Sequence, residues 1–115
     1  MGELESLQLA LREFARERDW EKFHTPKNLA TALSVEAAEL LEHFQWLTGE
    51  QSQSLEPRKR QAVAEELADV LLYLLQLADR LGIDPLEAAR EKLEINAAKY
   101  PVDRARGRAD KYTEL

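Results

Sequence analysis

Glu36 and Glu39 lie three residues apart, and so do Glu66 and Asp69. Residues three apart share a helix face, so each pair projects together wherever its segment is helical. Glu36 falls within the apolar line Leu29, Leu33, Ala37, Leu40 and Phe44. Glu39 lies on the neighbouring row with Ala32, Val35 and Trp46. Glu66 falls between Val63 and Val70, and Tyr73 extends the row that Asp69 begins. Moving a carboxylate out of water is costly, and gathering like charges makes it worse. Two helices that turn four acids inward therefore call for a cation. A hard divalent ion takes oxygen ligands and leaves positions for water or phosphate oxygens, which points to Mg2+, with Mn2+ as a substitute. Softer metals lack their usual ligands, since cysteine is absent and only two histidines occur. A single Glu-x-x-Glu reads as a solvated helix edge that meets arginines; two pairs on successive apolar faces favour the metal. Glu39/Glu42 and Glu65/Asp69 are competing pairs, but Glu42 and Glu65 fall farther from the apolar rows.

The elements that must position these acids are helices. Leu4, Leu7, Leu11 and Phe14 mark an amphipathic helix from Glu3 to Arg18. Thr25-Pro26 reads as an N-cap followed by proline at the first helical position, opening a helix that should run to about Thr48 and stop at Gly49. Thr48 to Glu56 reads as a polar loop. Pro57 opens a third helix, ended near Leu81 by Gly82. Asp84-Pro85 opens a fourth, to about Tyr100, and Pro101 stops it; the tail from Val102 looks irregular. No segment alternates as a strand does. The expected fold is an all-α four-helix bundle forming a single domain over residues 1–115. The third helix carries leucines around most of its circumference, from Leu67 to Leu81, which predicts self-association.

Composition narrows the function. The chain has 115 residues, 44% hydrophobic and 33% charged, with a net charge of −6. That balance argues against disorder, a membrane partner or a footprint for a nucleic acid polymer. The N-terminus lacks the pattern of a secretory signal and there is no cysteine, so a cytoplasmic location is expected. Basic residues gather late, at Arg104, Arg106, Arg108 and Lys111, while acids gather between Glu36 and Asp69. Lys92, Asn96 and Tyr100 form one row at i, i+4 and i+8. Trp20, Phe23 and Trp46 flank the ends of an inter-helix cleft, a flat apolar slot suited to the π face of a nucleobase. His24 stands just outside the second helix's cap. Glycine-rich phosphate loops and Ser-His-Asp arrangements are absent.

Taken in order, the phrases Glu17-Arg18-Asp19-Trp20, Phe23-His24-x-Pro26-x-Asn28-Leu29, Glu36-x-x-Glu39, Phe44-Gln45-Trp46, Glu65-Glu66-Leu67-x-Asp69, Asn96-x-x-Lys99-Tyr100-Pro101 and Lys111-Tyr112-Thr113-Glu114 cover nearly the whole chain. The set resembles the MazG-like all-α nucleoside triphosphate pyrophosphohydrolases, and most nearly the dCTP pyrophosphatase branch of that superfamily. The resemblance implies magnesium-dependent hydrolysis of a nucleoside triphosphate, dCTP or a modified dCTP, to the monophosphate and pyrophosphate. By position it implies Glu36, Glu39, Glu66 and Asp69 as metal ligands. It implies Trp20, His24, Trp46 and Tyr73 around base and sugar, and Lys92, Asn96 and Tyr100 near sugar and phosphates. It also implies a homo-oligomer, a dimer or dimer of dimers, with sites shared between subunits. One departure is visible: Leu11 stands where the mammalian members of the branch have a histidine early in the first helix. Glu36 and Glu39 are the candidates for the catalytic base. Two other classes compete: a non-catalytic helical interaction module, and a di-iron carboxylate bundle. The second needs Glu-x-x-His on two helices, and the only such spacing, Glu21 to His24, is broken by Pro26.

Overall fold

A computed structural model describes residues 2–115, and no strand occurs among them. Helix α1 spans Glu3–Glu17. A left-handed residue, Asp19 (φ 55°), then turns the chain into a single 3-10 turn, Glu21–Phe23. Helix α2 spans Pro26–Glu42, where the Asn28 amide donates to the Thr25 hydroxyl at 3.2 Å as the cap-and-proline pair predicts. It stops short of Thr48. Beyond Glu42 the amides of His43, Phe44 and Leu47 bond three residues back, to Leu40, Leu41 and Phe44, which tightens the chain into turns. Thr48 itself is extended (ψ 164°) because it caps the next element. That element is α3, Gly49–Ser52, one turn within the expected loop, closed by reciprocal bonds between Thr48 and Gln51. Helix α4 spans Pro57–Leu81 and ends on Gly82, whose φ of 66° suits a residue without a Cβ. Helix α5 spans Pro85–Lys99, with the Asp84 carboxylate accepting from the Leu86 and Glu87 amides. The tail is more regular than expected: Arg104 and Ala105 bond back to Pro101 to form α6, Val102–Ala105, and a 3-10 turn covers Tyr112–Glu114. The four long helices agree with the all-α reading.

Two compact units are present, the first ending at Gly82 and the second spanning Ile83–Leu115. In the first, α2 lies along α4 and α1 packs on α4. Gln8 donates to the Leu75 carbonyl at 3.0 Å, and Arg12 forms a forked ion pair with Asp79, so polar bonds at two heights tie α1 to α4. The core is small. Ala15, Leu29, Val63, Leu75 and Ala78 are the buried apolar residues, with Leu29 and Leu75 at 1% and 0% exposure. Leu67, Leu71, Leu74 and Leu81 of α4 stay on the surface, as do Val35 and Leu41 of α2. One face of α4 thus fills the core while these leucines of its other faces stay exposed. In the second unit, Tyr100 meets Tyr112 edge to face, at 6.1 Å between centroids, which fixes the tail on the end of α5.

Candidate active site

Helices α2 and α4 bring three of the four expected acids together. One carboxylate oxygen from each of Glu36, Glu39 and Glu66 lies within 4.8 Å of the others. Glu36 and Glu66 are half-buried, and one oxygen of each, Oε2, is shut away from water without a hydrogen-bond partner. A buried acceptor left unpaired is costly, and an ionised carboxylate more so. Two carboxylates cannot bond each other, because both only accept. A proton shared with Glu66 removes that conflict, and burial and the neighbouring Glu39 act the same way, so the Glu36 carboxyl is pushed up to about 7. These donors fit a hard divalent cation: all are oxygens, no histidine is in the group, and the orphaned atoms lack only a positive partner.

Asp69 is not in that group. It stands one turn along α4 and lines a cleft of about 350 Å3 between α1, the Trp20–His24 turn and α4. Trp20, His24 and Tyr73 line the same cleft, so three of the four residues expected around a base converge there. The Trp20 ring meets Phe14 edge to face at 5.8 Å and His24 at 6.4 Å. Leu11 stands in the cleft wall on α1. Leu11, His24 and Gln76 also border a second, larger hollow of about 600 Å3, so the two spaces adjoin. Trp46, the fourth, is elsewhere: it follows the end of α2 in the turn region and is 86% exposed. The expectation that Trp46 flanks the cleft therefore fails within one chain, because α2 ends before it. Lys92 and Asn96 stand on α5 in the second unit. Tyr100 follows the helix as its C-cap with φ −123°, so the expected row loses its last member to the helix end. The Asn96 backbone carbonyl accepts from the Tyr100 amide at 2.9 Å.

Sequence reasoning missed Gln76 as a cleft residue. Asp69, Tyr73 and Gln76 are spaced by four and three along α4, a one-face signal that was available in the sequence.

Comparison with known proteins gives the family. Residues 31–115 match the model of the MazG-like family. The human protein dCTP pyrophosphatase 1 is 50% identical over 114 residues, covering 97% of this chain and 67% of its own length. The bovine protein of that name is 47% identical over 114 residues, covering 97% and 68%. A crystal structure of a pyrophosphatase from Archaeoglobus fulgidus is 48% identical, covers 88% of this chain and 94% of its own, and superposes with a TM-score of 0.82. The chain belongs to the MazG-like family.

Proposed function

We infer that this protein is a nucleoside triphosphate pyrophosphohydrolase, a hydrolase acting on phosphoric anhydrides. The observation that carries the reading is the pair of orphaned oxygens, Glu36 Oε2 and Glu66 Oε2, beside Glu39 and next to an aromatic cleft. Glu36, Glu39 and Glu66 would hold a divalent cation, Mg2+ or in its place Mn2+, with Asp69 completing the set one turn away. Such a cation supplies charge neutralisation between the acids and a triphosphate, and Lewis acidity towards phosphoryl oxygens. Trp20 and Tyr73 offer flat surfaces to a base, and His24 a polar group at its edge. Water attacks phosphorus, the anhydride bond breaks and pyrophosphate leaves. Glu36 or Glu39 takes the proton of that water at a carboxylate oxygen. Lys92, Asn96 and Tyr100 are proposed to serve sugar and phosphates. The names of the relatives support a cytosine deoxynucleotide as substrate, and a cytoplasmic location is proposed with it.

A homo-oligomer, dimer or dimer of dimers, belongs to the same reading. The uncovered leucines of α4 and the exposed Trp46 support it: a second copy would cover the former and receive the latter at its cleft. Stacking on an aromatic contributes roughly 1–3 kcal/mol per base. Trp46→Ala is therefore expected to weaken nucleotide binding about tenfold to a hundredfold, measured by calorimetry in Ca2+ to prevent turnover. Unchanged affinity would remove Trp46 from the site.

The experiment for the function is pyrophosphate release from a panel of deoxynucleoside triphosphates, with Mg2+ and with chelator. Release equal to the monophosphate formed, in Mg2+ only and fastest for dCTP, is the expected result. No release from any triphosphate would overturn the reading, and equal rates across the panel would overturn the base preference.

A further inference from the structure

We propose that Arg80 is a positioning residue, which clamps the Trp20–His24 turn against α4 and so sets the nucleoside-binding end of the site. The proposal rests on the base-binding role given above to Trp20 and His24. Arg80 donates from Nε to the His24 carbonyl at 2.8 Å and from Nη2 to the Glu21 carbonyl at 2.7 Å. The rigid guanidinium fork spans both acceptors at once, which a lysine cannot do.

The turn needs such a clamp. It is a three-residue 3-10 segment, closed by the Phe23 amide on the Trp20 carbonyl at 2.9 Å, the His24 amide on the Glu21 carbonyl at 3.1 Å, and the exposed Lys22 ammonium on the Asp19 carboxylate at 2.8 Å. A helix this short does not stand on its own bonds. It is entered through Asp19, whose left-handed backbone persists only where the surroundings determine it. Neighbouring elements supply the rest: the Trp20 amide donates to the Ala15 carbonyl at 2.9 Å, and Asn28 Nδ2 to the Phe23 carbonyl at 2.9 Å. Arg80 is the only contribution from α4 among these bonds. That matters because Asp69, Tyr73, Gln76 and Arg80 follow one another at spacings of four, three and four, on one helix face. One rigid helix thus carries an acid of the metal end, two cleft walls and the clamp. Arg80 makes the distance from the acids to the base-binding turn a property of α4 rather than of the turn's own bonds.

Arg80→Ala, Arg80→Lys, Trp20→Ala and the Arg80→Ala/Trp20→Ala double variant test this. KM and kcat are measured for dCTP, and Ki for inorganic tripolyphosphate, which has no base. Arg80→Ala is expected to raise KM for dCTP about tenfold, with kcat and the tripolyphosphate Ki nearly unchanged, as loss of uniform binding requires. Arg80→Lys, which keeps one bond, should fall between. In the double variant the Arg80 change should add less to Trp20→Ala than it costs alone, since only His24 is then left to position. The Phe23 and His24 amides should exchange hydrogen faster in Arg80→Ala, whatever the turnover. An unchanged KM, equal rises in KM and Ki, additive effects, or unaltered exchange would each overturn the clamp. Wild-type protein that releases no pyrophosphate would sink the functional reading instead, and the exchange rates alone would then decide on Arg80.

Discussion

Glu39→Gln is expected to lower cation-dependent pyrophosphate release by about a hundredfold or more while the protein stays folded, with a melting temperature in chelator at or above that of wild type. The amide is nearly the same size as the carboxylate, so packing is kept. What changes is charge. Glu39 is one of three acids whose oxygens converge within 4.8 Å, and removing it relieves repulsion in the metal-free protein. An ordinary structural carboxylate would behave the other way, losing stability with its partner. Full activity, or a variant that unfolds, would count against the cation site. Steady-state release assays and thermal melts with and without Mg2+ separate these outcomes.

Metal-free protein should lose stability as pH rises from about 4.5 to about 7, and saturating Mg2+ should abolish the loss. The sign follows from linkage. Glu36 is an acid raised from 4.5 to about 7 by the shared proton with Glu66, by burial and by Glu39. Between those values the folded chain holds a proton that the unfolded chain has released, so raising pH favours unfolding. The penalty is absent below the lower value and complete above the upper one. Glu36→Gln should flatten this window. Asp79 acts in the opposite sense and elsewhere on the scale. Its bond with Arg12 holds it below 3.8, so its stabilisation is present above that value and disappears as pH falls further. The two windows do not overlap. Urea unfolding in chelator between pH 4.5 and 8 reads the effect, and a stability that rises across that range would refute the account.

The sequence showed the helices wherever a cap and a period coincided. Thr25-Pro26, Pro57, Gly82 and Asp84-Pro85 placed three helix starts and one end where the structure has them. The end of α2 was not legible, because the apolar line continues through Phe44 while the backbone has already tightened into three-residue bonds. Thr48 was read as a helix end, although with Gln51 it caps the next turn. The pairing of Glu36 with Glu39 was visible because i, i+3 spacing survives folding, and Glu66 was visible because it interrupts the apolar row of Val63 and Val70. That Asp69 turns to the cleft was not, since its distance from Glu36 depends on how α2 and α4 pack. Arg80 was invisible for a related reason. Its partners are backbone carbonyls more than fifty positions away in sequence, and carbonyls carry no signature in residue type.

Two residues at 1% exposure or less form the centre of the core, and the consequence concerns concentration. A domain of this size ordinarily relies on burying roughly two-thirds of its unfolded surface. Here Leu41, Leu67 and Leu81 each remain more than half exposed in a single chain. Once a second copy covers such surface, folding and association become one equilibrium. The melting temperature then has no value independent of how much protein is present. In such an assembly dilution would act as a denaturant, and a surface substitution such as Leu67→Lys would destabilise the fold without touching its core.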